Sequence, residues 1–443
     1  MSGRLRVAWF SPLSISSTNG DSPAGYFTEL ALPHLRERFE IELFHGGFEG
    51  YRDYPTHHYL KAFSLHRRNP FDIFFYHLED HPRTNFVRCH LGLIPGVVYF
   101  HDYILSTYGP EPMLNSPFPD VVRRFGGEDL PWPDREKSYH REGPYAVREA
   151  AFSAISLFSN ERNLDEWKRS RPKGIADRYL HNLPGSFYLP YPVDSQLAQR
   201  ERPGRGIKTV IYCGTPRIEH RAHKVLQAIG QVPNLNFVWL IDRLERERAE
   251  AMLGEFSVNR FELVEGRSPI RWGQLLEGAD ATIHTLFSVY GQCAPYLPMS
   301  LMAGIPALVT NFGACEYLPD NIVFKIRPGE TEACEIKEVL TALASGAAYF
   351  DSELQRSYAI ETHERAQVAD ELAQILEGSA SMLSGLQEDW EKFEVSARDA
   401  LLQEANGLSG EPEAELALGD YFDQSLRPVF EELGWTAGQE GLL

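Results

Sequence analysis

The chain has 443 residues, 43% of them hydrophobic and 24% charged, and a formal net charge of -19. That length exceeds what a single hydrophobic core usually sustains, so two large domains are expected, and the composition excludes a mainly disordered protein. The acidic balance argues against nucleic acid or an anionic membrane as a general partner, yet leaves room for a local basic pocket.

The most apolar run, Leu91–Phe100, is broken by Gly92, Pro95 and Gly96 and falls far short of the roughly 20 residues of a membrane helix. The opening MSGRLRVAWF enters a strand-like run without a signal-peptide layout, so a cytoplasmic protein that does not span a membrane is expected. The five cysteines, Cys89, Cys213, Cys293, Cys315 and Cys334, are widely spaced and form no CxxC pair. They read as reduced, mostly buried thiols, with neither a disulfide framework nor a zinc site.

In chain order, Leu5–Phe10 reads as a strand, Gly25–Arg38 as a helix and Ile41–His45 as a strand. Ile73–His77 and Val97–His101 follow as buried strands, while Tyr108–Pro144, rich in Pro, Gly and charge, reads as a long connection. YLPYPVD closes this first half, and SQLAQRERPGRG reads as a linker. A second alternation runs through Thr209–Cys213 (strand), His220–Ile229 (helix), Asn236–Asp242 (strand), Arg246–Phe256 (helix) and Phe261–Val264 (strand). Strands Ala281–Leu286, Pro306–Thr310 and Ile322–Ile326 continue it, with a helix near Pro298–Ala303. From Glu332 the pattern is helical, and Glu411–Leu443 suggests an acidic amphipathic helix. The expected division is a first domain over 1–194, a linker over 195–207, a second domain over 208–375 and C-terminal helices with an acidic tail over 376–443. Both domains read as α/β with doubly wound parallel sheets.

No GxxxxGK[ST], HExxH, D-x-D or strand-linked GxGxxG occurs, which leaves strand-to-helix turns as the places for a ligand. The first turn is NGDSPAGYFTEL, where Gly25 permits close approach, Ser22 caps the helix and free N–H groups suit a phosphate or sugar hydroxyl. The second is YCGTPRIEHRAHKVLQAI: after Gly214, the cations Arg217, Arg221 and Lys224 crowd a helix start that electrostatically prefers anions. Either a diphosphate sits among them, or they are solvated arginines on an exposed helix start. His101 and Asp102 end a first-domain strand, either as a capping pair or as groups that position and deprotonate an attacking hydroxyl. Glu79 and Asp80 are weaker candidates for the same rim, and most of the 15 histidines, such as His57 and His58, read as surface residues.

The third turn is SVYGQCAPYLPMSLMAGIPALVTNFGACEYLPDN. Gly291-Gln292, Met302-Ala303-Gly304-Ile305-Pro306, Gly313 and Glu316-Tyr317-Leu318-Pro319-Asp320 match, in order and spacing, the nucleotide-sugar segment of the family 4 glycosyltransferases, which have the GT-B fold. AWFSPL, PGVVYFHD and YLPYPVD also resemble that family, and the resemblance spans about residues 5–375. It implies two Rossmann-like domains facing across a cleft, C-terminal helices crossing back to the first domain, and retaining transfer from a nucleotide diphosphate sugar to an acceptor without a metal or cofactor. Carried onto this chain, it places Gly291, Gln292, Cys293, Ala294 and Glu316 at the donor and His101 and Asp102 on the acceptor side. The family's paired glutamates fall here on Gly291 or Gln292 and on Met299, none of them acidic. A GT-B nucleotide-sugar 2-epimerase and a non-catalytic nucleotide-sugar-binding or scaffold subunit are therefore the alternative readings.

Overall fold

The computed structural model describes residues 3–13, 22–47, 50–103, 105, 146–170, 185–199, 206–217, 220–286 and 295–380. The Tyr108–Pro144 connection, the Glu411–Leu443 tail and the candidates Gly291, Gln292, Cys293 and Ala294 lie outside them.

The first half runs β1 (Leu5–Phe10), α1 (Pro23–Leu35), β2 (Phe39–His45), β3 (Thr56–His58), α2 (Ala62–Arg68), β4 (Ile73–Leu78), α3 (Asn85–Leu93) and β5 (Val97–Phe100). It continues with α4 (Val147–Phe152), β6 (Ile155–Phe158), α5 (Glu161–Ser170) and β7 (Ser186–Tyr188). Every residue of β4, β5 and β6 is buried, as expected of parallel strands covered on both faces. α1 starts where Ser22 Oγ accepts from Gly25 N at 2.8 Å with Pro23 in the first turn, the usual chemistry of a helix start.

The second half runs β8 (Thr209–Cys213), α6 (Ala222–Ile229), β9 (Asn236–Ile241), α7 (Arg246–Glu255), β10 (Phe261–Glu265), α8 (Pro269–Leu276) and β11 (Ala281–His284). α9 (Tyr296–Met302), β12 (Ala307–Thr310), β13 (Phe324–Ile326), α10 (Glu332–Ser345) and α11 (Ser352–His363) follow, and a last helix, α12, covers 365–380.

Among the described residues these strands form two wholly parallel sheets, ordered β3-β2-β1-β4-β5-β6-β7 and β10-β9-β8-β11-β12-β13. Each order reverses direction beside its first strand, between β1 and β4 and between β8 and β11. Ligands of doubly wound sheets bind outside the carboxyl ends of the strands at that reversal. The first sheet holds one aromatic-rich core; the second has a core on each face.

A crossing back to the first half is made by α12, most of which falls within the span expected for the second domain; the C-terminal helices expected over 376–443 lie, beyond residue 380, outside the described residues. Val368, Ala369, Leu372, Ala373 and Leu376 of α12 belong to the first core, and Arg38 reaches Glu377 at 2.6 Å. The return is pinned where Val193 N donates to His363 O at 2.7 Å and Arg365 N donates to Val193 O at 3.1 Å.

Two expectations need correction. None of the described cysteines is fully buried: Cys89, Cys213 and Cys315 are partly covered and Cys334 is exposed. Six histidines, His45, His66, His77, His90, His101 and His363, are core residues, each among aromatic rings or held by a hydrogen bond. Even His57 is half-buried, its Nε2 lying 3.0 Å from Glu42 Oε2.

Candidate functional site

The chain leaving β4 and β5 sets Glu79, Asp80, His101 and Asp102 side by side, because His101 N donates to Leu78 O at 2.9 Å. Asp102 caps its neighbour, its Oδ2 accepting from Asp80 N at 2.9 Å. Burial, reinforced by the negative charge of Glu79 and Asp80, pushes the Asp102 carboxyl up to about 7 against that opposing hydrogen bond. His101 is only 1% exposed, and burial lowers it to about 3, so the ring is neutral at physiological pH. Its Nε2 lies 2.8 Å from His77 Nδ1, while its Nδ1 is buried and has no hydrogen-bond partner among the described residues. The two consecutive side chains thus find different partners, His101 turning to His77 and Asp102 to the backbone of Asp80.

The reading of the α1 start also changes. Gly25 N is taken by Ser22, and Ala24 N donates to Glu79 Oε1 at 2.6 Å. These two N–H groups are satisfied internally, with the buried Glu79 carboxylate standing where an anion was expected. Gly25 itself is buried on α1.

On the second sheet, β8 leads into Cys213, Gly214 and Thr215. What demands glycine at 214 is the strand's own ring: a Cβ there would lie 2.1 Å from Tyr212 Oη. Tyr212 Oη donates to His220 O at 2.7 Å, and Thr285 Oγ1 donates to the same carbonyl at 2.9 Å, tying β8 to β11 across the reversal. The three cations diverge from here. Arg217 keeps a half-exposed side chain 3.9 Å from Glu245 Oε1. Lys224 is half-buried in the first turn of α6. Arg221 takes a left-handed φ of 58° at the α6 N-cap, and its Nε donates to Oε2 of the fully buried Glu332 at 2.8 Å. Glu316 faces the other half, 3.8 Å from Arg162 of α5, beside Tyr317, whose hydroxyl donates to Asp165 Oδ2 at 2.9 Å. Met299 is buried in the core under β11 and β12, where no carboxylate would sit unpaired.

Reading by motif missed several residues of the same edge. Arg267 follows β10 and pairs with Asp242, at the end of β9, at 3.2 Å. Both act electrostatically on His81 of the first half, Asp242 raising and Arg267 lowering its pKa beneath the larger effect of burial. The two strand-end edges thus face each other. Thr215 Oγ1 and Thr310 Oγ1, at the ends of β8 and β12, are buried without a hydrogen-bond partner among the described residues. The signal available in sequence was a polar residue closing an apolar run, as in VEGR and ALVT. For His77 it was the histidine inside IFFYHL.

The sequence matches no protein-family model and no curated protein. Solved structures do match. Sucrose-phosphate synthase from Thermosynechococcus elongatus superposes with a TM-score of 0.59 at 11% identity, over 85% of this chain and 99% of that one. Anabaena HepE in complex with UDP-glucose gives 0.58 at 11% identity, over 85% and 100%. WaaG, a glycosyltransferase involved in lipopolysaccharide biosynthesis, gives 0.52 at 14% identity, over 84% and 99%. This likeness, together with the two facing parallel sheets, defines the class: the chain has the GT-B fold of these glycosyltransferases. Among the described residues no helix is long and apolar enough to cross a membrane.

Proposed function

We propose that the protein is a glycosyltransferase that binds a nucleotide diphosphate sugar on the second domain and transfers the sugar to an acceptor hydroxyl held against the first. The observation that carries this reading is the facing pair of strand-end edges. Each has buried polar atoms left open, His101 Nδ1 on one side and Thr215 Oγ1 and Thr310 Oγ1 on the other. Buried polar groups are nearly always satisfied, so unsatisfied atoms collected at both sheet reversals fit a polyhydroxylated ligand. HepE, of the same fold, is known in complex with UDP-glucose, which supports a nucleotide-sugar donor.

In this reading Arg217 meets the diphosphate, Lys224 flanks it, and Arg221 is the pinned edge of the basic patch. Their charge stabilises the leaving nucleotide as the glycosidic bond breaks. Gly214 and Glu316 border the donor, and Gln292, with the backbone of Gly291, Cys293 and Ala294, holds its sugar. His101 accepts from the attacking hydroxyl, and Asp102 fixes the loop beside it. Transfer is proposed to be retaining and independent of a metal, with a linker over 195–207 joining the domains. Thermal-shift screening of the full chain against nucleotides and nucleotide sugars tests the donor assignment. A stabilising nucleotide sugar is expected, and no response to any member of the panel would overturn it.

The buried Met299 favours a second reading, a subunit that binds the donor without turning it over, because it removes one of the acidic positions implied for the family. Donor binding without turnover in the presence of a competent acceptor would select that reading.

A further inference from the structure

A line of polar groups crosses the first core toward His101, through residues that are each fully buried: Trp9, Thr28 and His77, with Ser11 beside them. The direction of each hydrogen bond follows from chemistry. Trp9 Nε1 only donates, and it lies 3.0 Å from Thr28 Oγ1. Ser11 Oγ lies 3.3 Å from Ala24 O, which only accepts, so the Ser11 proton is spent there. Ser11 Oγ then accepts from Thr28 at 2.9 Å, which commits the Thr28 proton. Thr28 Oγ1 retains lone pairs alone for His77 Nε2 at 3.5 Å, so His77 carries its proton on Nε2. His77 Nδ1 is then the acceptor in the 2.8 Å contact, and His101 Nε2 the donor.

We infer that Trp9, Thr28 and His77 are positioning residues that hold His101 as the Nε2–H tautomer, leaving Nδ1 as a bare acceptor for a hydroxyl of the bound substrate. The reverse direction fails twice. It turns a bare His77 nitrogen toward the lone pairs of Thr28, and it leaves the His101 Nδ1–H as a buried donor without a partner. Orphaned buried donors are the rarer and costlier case. A burial-lowered pKa at both rings keeps both neutral, which the relay requires.

The tautomer stands independently of the reaction; only its use on a substrate hydroxyl rests on the glycosyl-transfer reading. Long-range proton–nitrogen NMR of the ligand-free full chain, labelled with ¹⁵N-histidine and assigned through His101→Gln and His77→Gln, reads it directly. A pyridine-type Nδ1 and a protonated Nε2 are expected at His101. A protonated Nδ1 overturns the relay, whatever the activity. Thr28→Val should shift both histidines toward the opposite tautomer, while Thr28→Ser should preserve the wild-type signature. If Thr28→Val does not fold, the wild-type spectrum alone still decides. In transfer assays Thr28→Val should lower kcat at least about tenfold at unchanged donor affinity, as expected for a misdirected base. An intact tautomer with normal transfer by His101→Ala would sink the proposed role of His101 while leaving the relay standing.

Discussion

Arg217 and Arg221 stand four residues apart, yet the guanidinium of Arg221 lies against a buried carboxylate, whereas that of Arg217 lies 3.9 Å from Glu245 with its side chain 59% exposed. A half-exposed cation beside a strand-end glycine is placed to meet a ligand's charge, so Arg217→Ala should weaken nucleotide-sugar binding with little effect on folding. A charge-assisted hydrogen bond is worth about 1.5–3 kcal/mol, and solvent screening puts this one at the lower end. Isothermal titration of wild type and variant measures the difference, and equal affinities would remove Arg217 from the donor site. Asp102 makes a separate prediction. Its folded pKa, about 7, is raised above the 3.8 of a free aspartate, so the folded state holds the proton longer than the unfolded state. Stability should therefore fall as pH rises through that interval, and level off above it. Asp102→Asn should remove that component of the slope in urea titrations run across pH; an unchanged slope would place the titration elsewhere.

At the scale of elements, the α6 start shows how sequence and fold differ in what they reveal. Arg221 is a non-glycine residue in the left-handed region, a conformation that costs roughly 1–2 kcal/mol. Glu332, in the first turn of α10, compensates by holding the guanidinium and so ties α6 to α10. Arg221→Ala should lower the unfolding free energy by about 3 kcal/mol, the lower end for a buried pair that loses one partner. Urea denaturation checks this, and a loss of donor binding without loss of stability would reverse the assignment. From sequence alone Arg221 and Arg217 looked equivalent, because the partner of Arg221 lies more than a hundred residues away. Most buried strands were legible since parallel strands covered on both faces read as continuous apolar runs, as in IFFYHL and TVIYC, whereas the equally buried β6, only four residues long, was not. β7 is three residues long, and α5, ERNLDEWKRS, is mostly polar, so neither left a clear pattern. Gly304 was found through family resemblance, and its physical reason is a left-handed φ of 64° just past the end of α9. The relay to His101 was invisible, since Trp9, Thr28, His77 and His101 meet only through tertiary folding.

For the whole molecule, α12 is the element that makes two sheets one protein. It lies in the second half of the chain but in the core of the first, so Leu372→Ala should open a cavity in that core and cost about 2–5 kcal/mol. Hydrogen exchange should show the loss in the first sheet; faster exchange confined to the second would contradict this packing. The same crossing brings the His101 and Arg217 edges face to face and gives them separate tasks in the proposed reaction. The most direct measurement follows both at once, recording nucleoside diphosphate release and donor affinity for wild type and His101→Ala with a nucleotide sugar and an acceptor mixture. His101→Ala should lose transfer and keep donor affinity. Loss of donor binding in a folded His101→Ala protein, or transfer at the wild-type rate, would contradict it.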